Sequence, residues 1–253
     1  MEISVEEVEN KDWIEHVQST WKPQVIGDLT VRFPWHEAEL IQTPHELILE
    51  GGAAFGTGDH PTTRLCCRWL QKMITKLTPT QSGKDDLADS GLKVLDYGCG
   101  SAILGLAALR YGASHADGVD IDQDALLSAR NNCDMNNLNM ELYMTIDKDT
   151  PDAWPLTPSS AVPECPFKDV SQLKWNSYDL TIANILAPTL IFLRDELASK
   201  TKVGGYIGLS GIVSQQAQTV IDSYKDYFDD FMIEEDEEDW VLLTGKRNNK
   251  KTT

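Results

Sequence analysis

The chain has 253 residues, 41% of them hydrophobic and 25% charged, enough for one large α/β core with a small appendage. No apolar run approaches the roughly 20 residues of a membrane span. A net charge of −18 is a poor match for a nucleic-acid backbone and attracts a basic partner, or simply keeps a surface solvated.

The five cysteines (Cys66, Cys67, Cys99, Cys133 and Cys165) are odd in number and contain no CxxC pair. Free thiols in a reducing compartment are expected. The start, "MEISVEEVENKDW", lacks a basic segment followed by an apolar one. A cytoplasmic location follows, or an organellar matrix if a targeting segment has been removed. A monomer is the expected state.

Residues 1–45 read as a linker-like lead. Within them "VENKDWIEHVQSTWKP" spaces Trp13, Val17 and Trp21 as a helix closed by Pro23, and "LTVRF" alternates as a strand. "PTTRLCCRWLQKM" repeats Leu65, Trp69 and Met73 every four residues, which predicts a helix packing that face into the core. "TPTQSGKDDLADSG" is a polar loop. From residue 92 strands and helices alternate. "LKVLDYG", "ADGVDID", "YDLTIANIL", "GGYIGLSGI" and "DWVLLTGKR" read as strands. "SAILGLAALRYG", "QDALLSARNNCDMN", "LIFLRDELASKT" and "SQQAQTVIDSYKDYF" read as helices. That rhythm predicts a mostly parallel sheet with helices on both faces. Residues 147–175 break it with five of the eleven prolines and read as an inserted surface loop. The acids "EEDEED" at 234–239 and the basic tail read as solvated surface and a frayed end.

Three signals carry chemistry. In "VLDYGCGSAILG" an acid-bearing strand runs into Gly98 and Gly100 and then a helix. In a doubly wound sheet this turn brings backbone close to a ligand. Position 103 is Ile, so the dinucleotide fingerprint is incomplete, and no Gly-Lys-Ser/Thr follows. Asp120 ends the second strand, where a carboxylate can accept both hydroxyls of a ribose. A glycine turn and a ribose acid without a pyrophosphate loop suit S-adenosylmethionine; a packing turn and a surface acid are the plain alternative. Asn184 closes "DLTIAN", where its amide can hold a nucleophilic nitrogen or merely cap the strand end.

In "GGAAFGTGDHPTT", residues 51–63, Pro61 suits the first turn of a helix. Thr62 and Thr63 then fall where open N–H groups favour a carboxylate, such as the methionine end of that cofactor. Glycines at 56 and 58 permit close backbone approach.

Together "VENKDWIEHVQSTWKP", "FGTGDHPTTRLCCRWL", "VLDYGCGSAILGLAAL", "GVDIDQDAL", "DLTIANILAP", "GGYIGLSGI" and "EDWVLLTGK" resemble the PrmA family, which methylates the eleventh protein of the large ribosomal subunit. The resemblance runs from about residue 5 to 247. It implies a class I S-adenosylmethionine-dependent methyltransferase domain over 46–248, Rossmann-like, with seven strands and the last antiparallel, followed by a tail at 249–253. It implies a cofactor site lined by Thr63, Gly98, Gly100, Asp120 and Asn184. Phe55, His60 and Trp240 fall in motifs bordering that site or the acceptor pocket. Phe55 and Trp240 can pack on adenine, wall the acceptor channel, or serve the core. His60 can act as a base or shape its loop.

Two departures stand out. Ala102 replaces a glycine that serves close helix–strand packing in the family. The recognition domain that precedes this linker in the bacterial enzymes is not expected here, which puts the protein substrate in question rather than the chemistry. Asn-Ile-Leu-Ala at 184–187 differs from the Asn/Asp-Pro-Pro-aromatic run that stacks flipped bases, which argues against a nucleic-acid substrate. No metal-ligand spacing is visible among the His and Cys residues. A lysine of a different protein as acceptor, or an inactive cofactor-binding scaffold, are the alternatives carried forward.

Overall fold

A computed structural model describes residues 21–37, 43–50, 58–78, 91–145 and 167–250. The chain order of strands is β1 (Gln24–Ile26), β2 (Leu29–Arg32), β3 (His45–Ile48), β4 (Lys93–Tyr97), β5 (His115–Asp120), β6 (Glu141–Met144), β7 (Lys168–Asp169), β8 (Tyr178–Asn184), β9 (Thr201–Val213), β10 (Phe228–Glu237) and β11 (Trp240–Arg247). The helices are α1 (Pro61–Leu77), α2 (Ile103–Arg110), α3 (Gln123–Asn136), α4 (Ala187–Phe192), α5 (Arg194–Lys200) and α6 (Ala217–Tyr224).

The main sheet has eight strands in the order β10-β11-β9-β8-β4-β5-β6-β7. β11 is antiparallel to both its neighbours, and every other pairing is parallel. This is the expected α/β sheet, with a two-residue edge strand, β7, added. The order reverses at β4, so β4 and β8 flank the crevice where open α/β sheets bind ligands.

Alternation along each strand builds two cores. On one face Val94, Leu180 and Ile182 pack against Leu65, Trp69 and Leu70 of α1 and Leu106 of α2. On the other, Leu95, Ala183, Ile207 and Leu209 meet Leu190, Leu197, Val220 and Tyr224 of α4–α6. The Leu65–Trp69–Met73 stripe predicted for the core is buried at 0%, 2% and 5% exposure. Each such side chain contributes roughly 1.5–3 kcal/mol of burial. The helix predicted across "LIFLRDELASKT" is broken at Leu193 into α4 and α5.

Three short strands lie in the lead and just beyond it. β1, β2 and β3 make a second, three-stranded sheet, so β3 crosses the expected 45/46 boundary. Leu29, Val31, Phe33 and Leu47 of this sheet join the α1–α2 core. Two buried asparagines one turn apart on α3 hold it there. Asn136 accepts from the Ile48 amide at 2.9 Å and Asn132 from the Glu50 amide at 2.6 Å, while Asn132 donates to the Ser101 carbonyl at 2.8 Å.

The acid run at 234–239 is only in part the solvated surface expected: Asp236, Glu238 and Asp239 are exposed, while Glu234, Glu235 and Glu237 are engaged. It lies on β10 and its turn, where Arg64, Arg68 and Lys72, four residues apart on one face of α1, meet it. Arg64 donates to Glu237 at 2.6 Å. Arg68 reaches Glu235 at 2.7 Å and Glu237 at 2.6 Å, and Lys72 reaches Glu234. Acid-rich segments are poor strands on propensity alone; here three cations on one helix face pair with Glu234, Glu235, Glu237 and Glu238. The ladder also fixes the axis of α1, whose first turn borders the crevice.

Candidate active site

The carboxyl ends of β4, β5, β8 and β9 share one edge of the sheet, and the antiparallel β11 begins there. Gly98, Gly100, Asp120, Asn184 and Trp240 therefore come to one edge, with His60 and Thr63 on the adjoining turn of α1. Phe55 and residues 51–57 lie outside the described residues.

The glycine turn is held closed by its own hydrogen bonds. Gly98 and Cys99 donate to the Val119 carbonyl at 2.8 and 2.9 Å. Gly100 donates to Asp120 Oδ2 at 2.8 Å. With these N–H groups consumed internally, the turn is not a phosphate cradle, in keeping with the absent pyrophosphate fingerprint. Gly98 (φ 78°) and Gly100 (φ 51°) take left-handed conformations, and a β-carbon on Gly98 would collide with the Ile185 γ2 methyl. Ala102 is also left-handed, at φ 64°. The reason a glycine suits position 102 is thus backbone handedness, a cost of about 1–2 kcal/mol for an L-residue, rather than helix–strand packing alone.

Asp120 is anchored on both oxygens. Oδ1 accepts from the Ile121 and Asp122 amides at 2.8 and 3.0 Å. Oδ1 is thereby filled, and Oδ2, with one bond from Gly100, retains acceptor capacity for a ligand hydroxyl. Beside it Ile121 is 66% exposed, an apolar side chain at the rim that a flat ring would cover.

The first turn of α1 differs from its reading in sequence. His60 is the N-cap, and its Nδ1 accepts from the Thr62 amide at 3.3 Å. The Thr63 and Arg64 amides both donate to the His60 carbonyl at 3.0 and 3.2 Å. The N–H groups expected to stay open are taken by the cap. What stays open is the Thr63 hydroxyl, fully buried and without a hydrogen-bond partner. Acceptance at Nδ1 leaves the proton of a neutral His60 ring on Nε2. The ring stands edge-on to Trp240, centroids 5.0 Å apart.

Asn184 ends β8 opposite Ser210 of β9. Its Oδ1 is hidden from solvent and has no hydrogen-bond partner. Ile185 follows, wedged between Gly98 and Gly211; a β-carbon on either glycine would strike it. Gly211, at φ 82°, thereby allows the Asn184–Ile185 turn to seat against β9.

The sequence model of the ribosomal protein L11 methyltransferase (PrmA) family matches residues 1–248. The chain belongs to this family. It is 39% identical to the Neisseria gonorrhoeae ribosomal protein L11 methyltransferase over 241 residues, 95% of this chain and 68% of that protein. It is 39% identical to the Chromobacterium violaceum protein of the same name, over 96% of this chain and 68% of the relative. Among solved structures it is similar to the ribosomal protein L11 methylase from Lactobacillus delbrueckii subsp. bulgaricus. There the TM-score is 0.63 at 21% identity, over 88% of this chain and 95% of the other. A T. thermophilus 16S rRNA N2 methyltransferase, solved with AdoMet and guanosine, matches at TM-score 0.52 and 18% identity, over 77% and 45% of the two chains. These two structural likenesses concern the fold.

As a PrmA-family member the chain is an S-adenosylmethionine-dependent protein methyltransferase with a class I, Rossmann-like fold. The site fits that cofactor on its own features: a buried orphan hydroxyl at Thr63, a close-approach turn at Gly98–Gly100 and an anchored acceptor at Asp120. Sequence reasoning passed over Asp96. It is fully buried on β4, accepts from the Gly105 amide at 2.9 Å through Oδ2, and leaves Oδ1 unpartnered. Desolvation pushes its carboxyl up to about 7, offset in part by the Gly105 bond. An acid inside the apolar run "VLDYG" was the available signal. Ile121 and Gly211 were missed because exposure and backbone handedness leave no mark in a pattern of residue types.

Proposed function

We propose that the chain transfers a methyl group to an amine nitrogen of ribosomal protein L11, a lysine side chain or the N-terminal α-amine. The observation that carries this reading is the unpartnered, solvent-hidden Oδ1 of Asn184 beside the glycine turn. An acceptor left unpaired in a buried place costs about 1–3 kcal/mol unless a ligand completes it, and an amine N–H is such a ligand.

Thr63, Gly98, Gly100 and Asp120 hold the cofactor in this reading, with Ile121 against its base. Bound S-adenosylmethionine supplies a methyl group on a cationic sulfur. The protein must present a neutral amine in line with it. A free lysine has a pKa near 10.4, so at pH 7 only about one in several thousand is neutral. Enclosure at this edge disfavours the ammonium form. Asn184 Oδ1 accepts one amine N–H and so aims the nitrogen lone pair. His60, with Nδ1 bonded to the Thr62 amide, orients the α1 turn and sets its ring edge-on to Trp240. Both roles are supported by placement at the shared edge.

The test is labelled methyl transfer from S-adenosylmethionine to purified ribosomal protein L11, with the modified residue located by mass spectrometry. Label on a lysine or on the α-amine is expected. Absence of label on that protein, with label entering another protein of an extract, would reassign the substrate.

A further inference from the structure

Among the described residues, nothing covers the outer face of α4. Leu186, at its N-cap, is 67% exposed, and Phe192, at its end, is 81% exposed. Pro188 and Thr189 between them are exposed as well. Large apolar side chains this open mark contact surfaces. The face begins two residues after Asn184, so it starts at the crevice and runs away from it for about 9 Å.

Charge is polarised along the strand direction. The described turns at the crevice edge (58–60, 98–102, 120–124, 184–188, 210–216 and 238–239) contain Asp59, Asp122, Asp124, Glu238 and Asp239 besides Asp120, and no Lys or Arg. The nearest cation on α1, Arg64, is committed to Glu237 and Glu238, and Glu238 remains 71% exposed. Cations collect at the opposite edge, where Lys93, Lys202 and Arg247 lie at strand ends that face away from the crevice. Asp122 also caps α3, whereas Glu238 and Asp239 lie in the exposed turn before β11.

From these two observations we propose that the crevice edge is a docking groove for a basic, partly apolar segment of the protein substrate. This rests on the amine-methylation reading above. Leu186 takes an apolar side chain next to the target amine, and Phe192 takes one about 9 Å further along α4. Glu238 and Asp239, on the β11 side, take flanking Lys or Arg side chains. β8 and β11 are two strands apart, about 10 Å, so with α4 the groove spans about 20 Å, or about six extended residues. The acids raise the local concentration of a lysine-bearing segment, and Asn184 lies between the two halves.

The test uses the whole chain with S-adenosylhomocysteine and two fluorescent six-residue peptides. One places a lysine between leucine and arginine; the other places it between glycine and glutamate. The wild type is expected to bind the first at least tenfold more tightly, with the preference shrinking in 0.5 M salt. Leu186→Ser with Phe192→Ser should remove about tenfold of the affinity for the first peptide, and Phe192→Leu should restore most of it. Both positions are exposed, so the thermal midpoint and cofactor affinity should not change. In parallel the KM for ribosomal protein L11 should rise about tenfold in the double variant, with kcat kept. Equal binding of the two peptides, or unchanged binding by the double variant, overturns the groove whatever ribosomal protein L11 does. Peptide discrimination lost in the variant, without methylation of ribosomal protein L11 by the wild type, upholds the groove and removes only the substrate assignment.

Discussion

Asp120 Oδ2 accepts a hydrogen bond from the Gly100 amide at 2.8 Å, which ties the end of β5 to the turn after β4. One carboxylate therefore does two jobs: it fixes the turn and presents an acceptor at the crevice. Replacing Asp120 with Ala removes both. Calorimetric titration with S-adenosylmethionine should show affinity reduced at least tenfold, about 1.4 kcal/mol or more. Affinity equal to wild type would remove Asp120 from the cofactor site.

Asn184→Ala tests the acceptor side alone. Among the described residues no hydrogen bond depends on Asn184 Oδ1, so the fold should hold. We expect kcat to fall by roughly a hundredfold, the loss typical of a misaligned reactant, with cofactor affinity within about twofold. Turnover at the wild-type rate would exclude an orienting role.

Asp96 makes stability depend on pH. Burial raises its folded-state pKa to about 7, against about 3.9 for an unfolded chain. A raised folded pKa means the native state binds more protons between those values. The contribution is full below about pH 4 and is lost as pH climbs to about 7. Its span is on the order of 4 kcal/mol. In Asp96→Asn the amide oxygen can still accept from Gly105, and the dependence should flatten. Urea midpoints at pH 5.5 and 8 should fall with pH more steeply in the wild type than in the variant. Parallel slopes would show that Asp96 is ionised at both pH values.

Gly98 and Ile185 should be energetically coupled. Gly98→Ala adds a left-handed alanine and a collision with Ile185, together roughly 2–5 kcal/mol. Ile185→Ala removes the obstructing methyl. The double variant should be more stable than the sum of the single effects predicts by at least about 1 kcal/mol. A strictly additive cycle, measured by thermal or urea unfolding, would place the cost of Gly98→Ala in backbone handedness alone.

The α1–β10 ladder should be salt-sensitive. Arg68→Ala breaks two pairs that are only partly shielded, so a loss of about 0.5–1 kcal/mol is expected at low ionic strength. The difference from wild type should narrow in 1 M salt. A salt-independent loss would point to the aliphatic stem of Arg68 instead.

Much of the fold was legible from periodicity. "QDALLSARNNCDMN" is the helix of residues 123–136, and "YDLTIAN" is the strand of residues 178–184. Such elements declare themselves because one face is apolar at the period of the structure. β10 stayed hidden because its acids contradict strand propensity, and the basic face that pairs with them is some 160 residues away in the chain. The small sheet of β1–β3 was read only as "LTVRF", since its attachment runs through Asn132 and Asn136, polar residues whose burial no pattern reveals.

At the site, the glycine turn at Gly98 and Gly100 and the acid at Asp120 suited a ribose-bearing cofactor without a phosphate loop, and the family resemblance added Thr63 and Asn184. The sequence by itself determined the order of strands and helices, the glycine turn with its acid one strand later, and the family. Only the tertiary structure decided which polar atoms stay open. It consumed the N–H groups of the α1 turn through the His60 cap and left the Thr63 hydroxyl; it closed the glycine turn on Val119 and Asp120 and left Asn184 Oδ1. It also gathered acids from separate turns onto one edge. Hydrogen-bond satisfaction and charge juxtaposition depend on distances between segments far apart in the chain, and those distances exist only once the sheet has assembled.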